Sequence, residues 1–156
     1  MTATVTRFED RTTPEFTHVP FRLARAGETA AQMGLITLEA DLTIETELRH
    51  FIGDATGTDI GQGQPPSVLH SRIGCDDQVT VENLTAMKER FADALALFPP
   101  GYHFDVIGYG CTSASLLIGE DTVQAIVKSH VDVDHVTTPL TGAKRALQAV
   151  GARNIE

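Results

Sequence analysis

The chain has little positive charge, few cysteines and no long apolar run. Lys and Arg number 12 against 21 Asp and Glu over 156 residues, a formal net charge of −9 with His neutral. Such a molecule repels phosphate backbones and anionic membrane surfaces unless a local basic cluster reverses the field, and no run of Lys or Arg supplies one. Nucleic acid is therefore not an expected partner. No stretch of about 18 apolar residues is present to span a membrane, and the opening residues lack the compact apolar core of a secretory signal. No membrane partner is expected, and the cytoplasm is the expected compartment. The two cysteines, Cys75 and Cys111, form no CxxC pair. They read as free thiols in a reducing compartment rather than as a disulfide scaffold.

What is present suits one globular domain, since 42% of the residues are hydrophobic and the length allows a core. Residues 1–31 keep no period of 2 or 3.6 and read as an extended arm, with residues 32–156 as an α/β lobe. "MGLITL" (Met33–Leu38) is β-capable. The helix predicted after it has Asp41 or Thr43 as cap, Glu45 and Glu47 in its first turn and Gly53 as its stop. "GDATGTDIGQGQPP" reads as a loop and "SVLHSRI" (Ser67–Ile73) as a second strand. A long helix is predicted from a Thr80 cap to Pro99, with Val81, Leu84, Met87, Phe91, Leu95 and Phe98 on one stripe.

"FDVIGY" has the composition of a strand buried on both faces. "CTSASLLIGEDTVQAIVKS" is helical with a break near Gly119, and "DHVTT" is a fourth strand. Pro139 suits the first turn of a last helix that ends near Val150 with Gly151 as its cap, and "RNIE" resembles the opening of a fifth strand. Alternating strands and helices imply an α/β fold: a parallel sheet of about four strands with helices on both faces. Ligands of such sheets sit outside the carboxyl ends of the strands, where Asp41, Cys111 and Thr138 fall.

Cys111 is the leading candidate catalytic residue. In "GYGCTSAS" it stands where a strand gives way to a helix, and the first unpaired amides and positive end of that helix favour a thiolate or a carboxylate. Thr112 and Ser113 add hydroxyl donors for a small carboxylic acid. The competing reading makes Cys111 a small buried hydrophobe and the Thr-Ser pair a helix cap. Arg72, at the end of the second strand, has the bidentate geometry of a carboxylate clamp, though a solvated arginine accounts for it equally. Tyr109 reads as a packing residue. In "SHVDVDH", His130, Asp132, Asp134 and His135 show polar alternation next to a buried strand, and no metal is assigned to them. "GQGQPP" follows a helix rather than a strand and is not a phosphate loop.

Four blocks, "GLITLEADLTIETELR", "SRIGCDDQVTVENLTAM", "YGCTSASLLIGE" and "VTTPLTGAKRALQAVGARNI", resemble the aspartate/glutamate racemase superfamily. Within it the resemblance is to maleate cis-trans isomerases, arylmalonate decarboxylases and ectoine-utilisation relatives, in order over roughly residues 33–155. It implies a cofactor-independent enzyme of two α/β lobes, each offering one cysteine to the cleft between them. Cys111 falls on the first-lobe cysteine, and Thr112 and Ser113 on residues that receive a substrate carboxylate.

The implied chemistry is racemisation or cis-trans isomerisation at the carbon next to a carboxylate. A decarboxylase-type relative and a non-catalytic binding lobe are the alternatives. Asp41 stands where maleate isomerases carry asparagine, which points to the ectoine-type relatives. Glu156 falls where the second lobe begins in the family. A further segment or a second copy in a homo-oligomer is therefore expected to complete the site, and the 156 residues alone are expected to be inactive.

Overall fold

In a computed structural model, which describes residues 30–57 and 66–153, the β-capable runs pair as one parallel sheet. Its strands are β1 (Gln32–Leu38), β2 (Ser67–Ile73), β3 (His103–Tyr109) and β4 (Asp132–Thr137), in the order β2-β1-β3-β4. The first crossover steps from β1 to β2, and the second returns past β1 to β3. Strand order therefore reverses between β1 and β3, the place where open α/β sheets leave a crevice at their carboxyl ends. The expected α/β class is the one observed.

Helices cover both faces. α1 (Ile44–Gly57) makes the first crossover. The second is built from α2 (Val81–Ala86), a 3₁₀ turn over Met87–Arg90, and α3 (Phe91–Leu95). α4 (Thr112–Ile118) and α5 (Glu120–His130) make the third, and α6 (Pro139–Ala149) follows β4. Registers place Ile36 beside Tyr109, Gly34 beside Ile107 and Leu38 beside Ile73. Ile36, Ile73, Ile107 and Tyr109 join Phe91, Leu95, Val123 and Val127 in the core on the α3 and α5 side. Ser71 donates to Ala94 O at 2.6 Å, which ties β2 to α3. α1 lies on the other face, where Ile44 and Leu48 approach Leu35 and Gly108.

Three expectations change in detail. α1 runs through Gly53 to Gly57, because a glycine inside a helix costs only about 1 kcal/mol against alanine. The predicted single helix from Val81 is divided by the 3₁₀ turn. That turn advances by about 120° per residue against about 100° in an α-helix, so the stripe does not keep its phase. Met87, Phe91 and Leu95 are buried while Val81 is 60% exposed.

β3 is not buried along its whole length, because His103 and Asp105 are exposed. The break at Gly119 is present, with φ +91° separating α4 from α5. The extended arm over residues 1–31 lies almost wholly outside the described residues, as do the start of a fifth strand at 153–156 and most of the glycine-rich loop. Among the described residues, no helix is long and apolar enough to cross a membrane.

Candidate active site

The carboxyl ends of β1, β3 and β4 bring Asp41, Cys111 and Thr138 to one edge of the sheet. After β3 the chain turns through Gly110, whose amide donates to Ile36 O at 2.8 Å and holds the turn against β1. A Cβ at Gly110 would come within 2.7 Å of Ile44 Cδ1, so glycine lets α1 close over the turn. Cys111 is the N-cap of α4 in extended backbone, φ −128° and ψ 111°. Ser115 donates its amide (3.1 Å) and its hydroxyl (2.5 Å) to Cys111 O, which fixes the first turn.

Cys111 as a residue is 6% exposed and packs within the core cluster. Thr112 and Ser113, the first two residues of α4, are exposed. Tyr109 is a packing residue, as expected. It is 1% exposed, its ring meets Phe91 edge-on at 4.7 Å, and its hydroxyl donates to Met87 Sδ at 3.7 Å. Burial pushes its phenol well above the usual range, and the Cys111 and Cys75 thiols nearby add to the shift.

Asp41 and Arg72 meet. Asp41 Oδ1 accepts from the amides of Thr43 (2.9 Å) and Ile44 (3.0 Å), so it caps α1 from outside the helix. The Ile44 and Thr43 amides hold its carboxyl below the usual carboxylate range, with a smaller contribution from Arg72. The Arg72 guanidinium donates to the carbonyls of Leu38 (3.2 Å), Glu39 (3.2 Å) and Asp41 (2.7 Å), and to Glu45 Oε1 at 2.7 Å. Its donors bind the β1–α1 turn rather than facing the Cys111 side. Thr138 is buried and caps α6: its Oγ1 accepts from Thr141 N at 3.2 Å, and Thr141 Oγ1 accepts from Thr138 N at 3.3 Å.

Cys75 is half-buried at the end of β2 and lines a cavity of about 220 Å³ with Leu38, Ala40, Asn83 and Met87. Its amide donates to Glu39 Oε1 at 2.8 Å. This Glu39 contact spans 36 positions, and no local pattern signals it. A second cavity, about 250 Å³ and almost wholly apolar, lies between α1 and the sheet beside Gly110, Thr138 and Pro139, and Cys111 does not line it. At the opposite end of the strands, Asp132 and Asp134 meet His103 rather than His130 or His135. His103 Nδ1 is 3.1 Å from Asp132 and its Nε2 is 3.5 Å from Asp134. His130 instead turns back onto Ile126 O at 2.9 Å.

No family model matches the sequence, and no curated protein matches it. The fold is similar to the crystal structure of the maleate isomerase Iso from Pseudomonas putida S16, with a TM-score of 0.54 and 20% sequence identity. That likeness covers 79% of this chain and 50% of the other, so the chain spans about half the length of the protein it resembles.

Proposed function

We propose that this chain is one lobe of a cofactor-independent enzyme of the isomerase or racemase type, acting at the carbon next to the carboxylate of a small acid. The observation that carries this reading is the position of Cys111. It follows the inner strand β3, occupies the N-cap position of a helix, and stands beside the reversal of strand order with Asp41 on the neighbouring turn. The likeness to a maleate isomerase supports the same assignment.

In the proposed step the Cys111 thiolate takes the proton from Cα, and the electron pair moves into the carboxylate as an enediolate. The hydroxyls of Thr112 and Ser113 and the first amides of α4 meet the developing charge. A group on a second lobe, or on a second copy, returns a proton to the opposite face, which inverts Cα. An ionised Asp41 opposes a second carboxylate at its end of the site. The substrate class is therefore an acid with one carboxylate there.

The 6% exposure of Cys111 favours a second reading: a non-catalytic lobe in which the thiol only packs, while the exposed Thr112 and Ser113 meet a carboxylate. Native alkylation between pH 5 and 9, read by mass spectrometry at Cys111 and Cys75, separates the two. An activated Cys111 reacts well below pH 8 and outpaces the more exposed Cys75. If Cys111 reacts slowly, with a rate that rises only near the ordinary thiol pKa of about 8.5, the enzyme reading fails and the binding lobe remains.

A further inference from the structure

We propose that the cleft between α5, α6 and β4 binds a small phosphate-bearing ligand, clamped by Lys128 and Arg145. The cleft has a volume of about 390 Å³ and adjoins the outermost strand of the sheet. Lys128 comes from the last turn of α5 and Arg145 from α6, while Gln124 stands one turn before Lys128 on the same face. Asp134, His135 and Thr137 of β4 complete the polar lining.

Charge is the first reason. In a chain of net charge −9, four of the described cations pair with carboxylates. Arg72 lies 2.7 Å from Glu45, Arg90 2.7 Å from Asp76 and Lys88 3.7 Å from Glu89, and Lys144 pairs with Glu120. Among the described residues, neither Lys128 nor Arg145 has an ion-pair partner. The carboxylate lining the cleft, Asp134, has an oxygen 3.5 Å from His103 Nε2. The cleft therefore sets two cations against one carboxylate, a positive balance on an otherwise acidic surface.

Geometry narrows the class. A carboxylate presents two oxygens, which one guanidinium satisfies bidentately, whereas a phosphate offers further oxygens to a second cation on another element. Here the two cations come from different helices, and Gln124, Thr137 and His135 add donors. Among the described residues β4 is the outermost strand, and on its outer side alternate backbone amides point away from β3. Small-ligand sites begin at about 300 Å³, so the cleft has room for a phosphate monoester.

Isothermal titration and thermal melts of the whole chain with inorganic phosphate and with phenyl phosphate, at constant ionic strength, test the proposal. Saturable binding is expected, with Tm raised by about 4 °C at ten times Kd. The Lys128→Ala/Arg145→Ala double variant, and the Lys128→Gln/Arg145→Gln variant that keeps most of the side-chain volume, should each lose at least tenfold in affinity. Arg49→Ala, an exposed cation on α1, should lose nothing. The proposal is overturned by absence of saturable binding at 20 mM, by equal binding in the double variants, or by an equal response to acetate.

Discussion

Two glycines on neighbouring strands should respond to the same substitution with opposite signs. An added Cβ at Gly34 would stand 2.7 Å from Ile107 Cγ1 and 3.3 Å from the rings of Phe104 and Phe98. Those rings already pack on each other with centroids 4.9 Å apart, so they have little freedom to withdraw. At Gly108 the nearest atoms are Leu35 Cδ1 at 3.6 Å and Thr137 Cγ2 at 3.8 Å, which is ordinary contact. Neither glycine has a positive φ, so backbone strain does not enter.

Alanine at either site restricts the unfolded chain and stabilises by about 0.4–1 kcal/mol. At Gly34 overpacking costs about 1–3 kcal/mol, which outweighs that gain and leaves a net loss of about 1–2 kcal/mol. At Gly108 only the gain survives. Urea unfolding followed by circular dichroism measures both, with an unchanged m-value as the control on two-state behaviour. If Gly34→Ala proves as stable as the parent, or Gly108→Ala loses as much as Gly34→Ala, the packing account of the β1–β3 core is wrong.

Removing the α6 cap by Thr138→Ala should cost about 1 kcal/mol in thermal or urea unfolding, with most of it recovered in Thr138→Ser. Glu120 is held below its ordinary value of 4.5, chiefly by Lys144 and then by Thr141. Its contribution is complete above that value and is lost as pH falls through the lowered one, so urea midpoints should drop more for the parent than for Glu120→Gln on acidification. His103 is raised above 6.5, chiefly by its hydrogen bond to Asp132 and against the effect of burial. The advantage of the parent over His103→Gln should be full below pH 6.5 and vanish as pH rises through the raised value; a pH series of melts that shows the reverse trend would discard the ion pairs.

Much of this architecture could be read from local pattern. β2 has the bounds that its apolar run suggests, Pro139 begins α6, and Gly151 follows it with φ +69°. These features depend on residues within a few positions of each other. The second crossover was harder, because the turn at Met87–Arg90 joins a helix to distant chain: Arg90 donates to Gly74 O at 3.0 Å and to Asp76 at 2.7 Å. The site divides in the same way. That Asp41, Cys111 and Thr138 share an edge follows from strand order. That Arg72 is occupied by the β1–α1 turn depends on contacts across 27 to 34 positions, and so does the meeting of His103 with Asp132 and Asp134, which needs β3 and β4 paired in register.

Gly119 gives the third crossover two independent halves. Within one continuous helix, lengthening or shortening the chain by a residue swings everything downstream by about 100°. Here the left-handed hinge absorbs such a change. Val123 and Val127 can stay seated against the sheet while the exposed positions of the opening turn, Thr112, Ser113, Leu116 and Leu117, change in sequence. A library of substitutions at those four positions would therefore vary what that turn recognises while Ala114 and Ser115 stay buried beneath it.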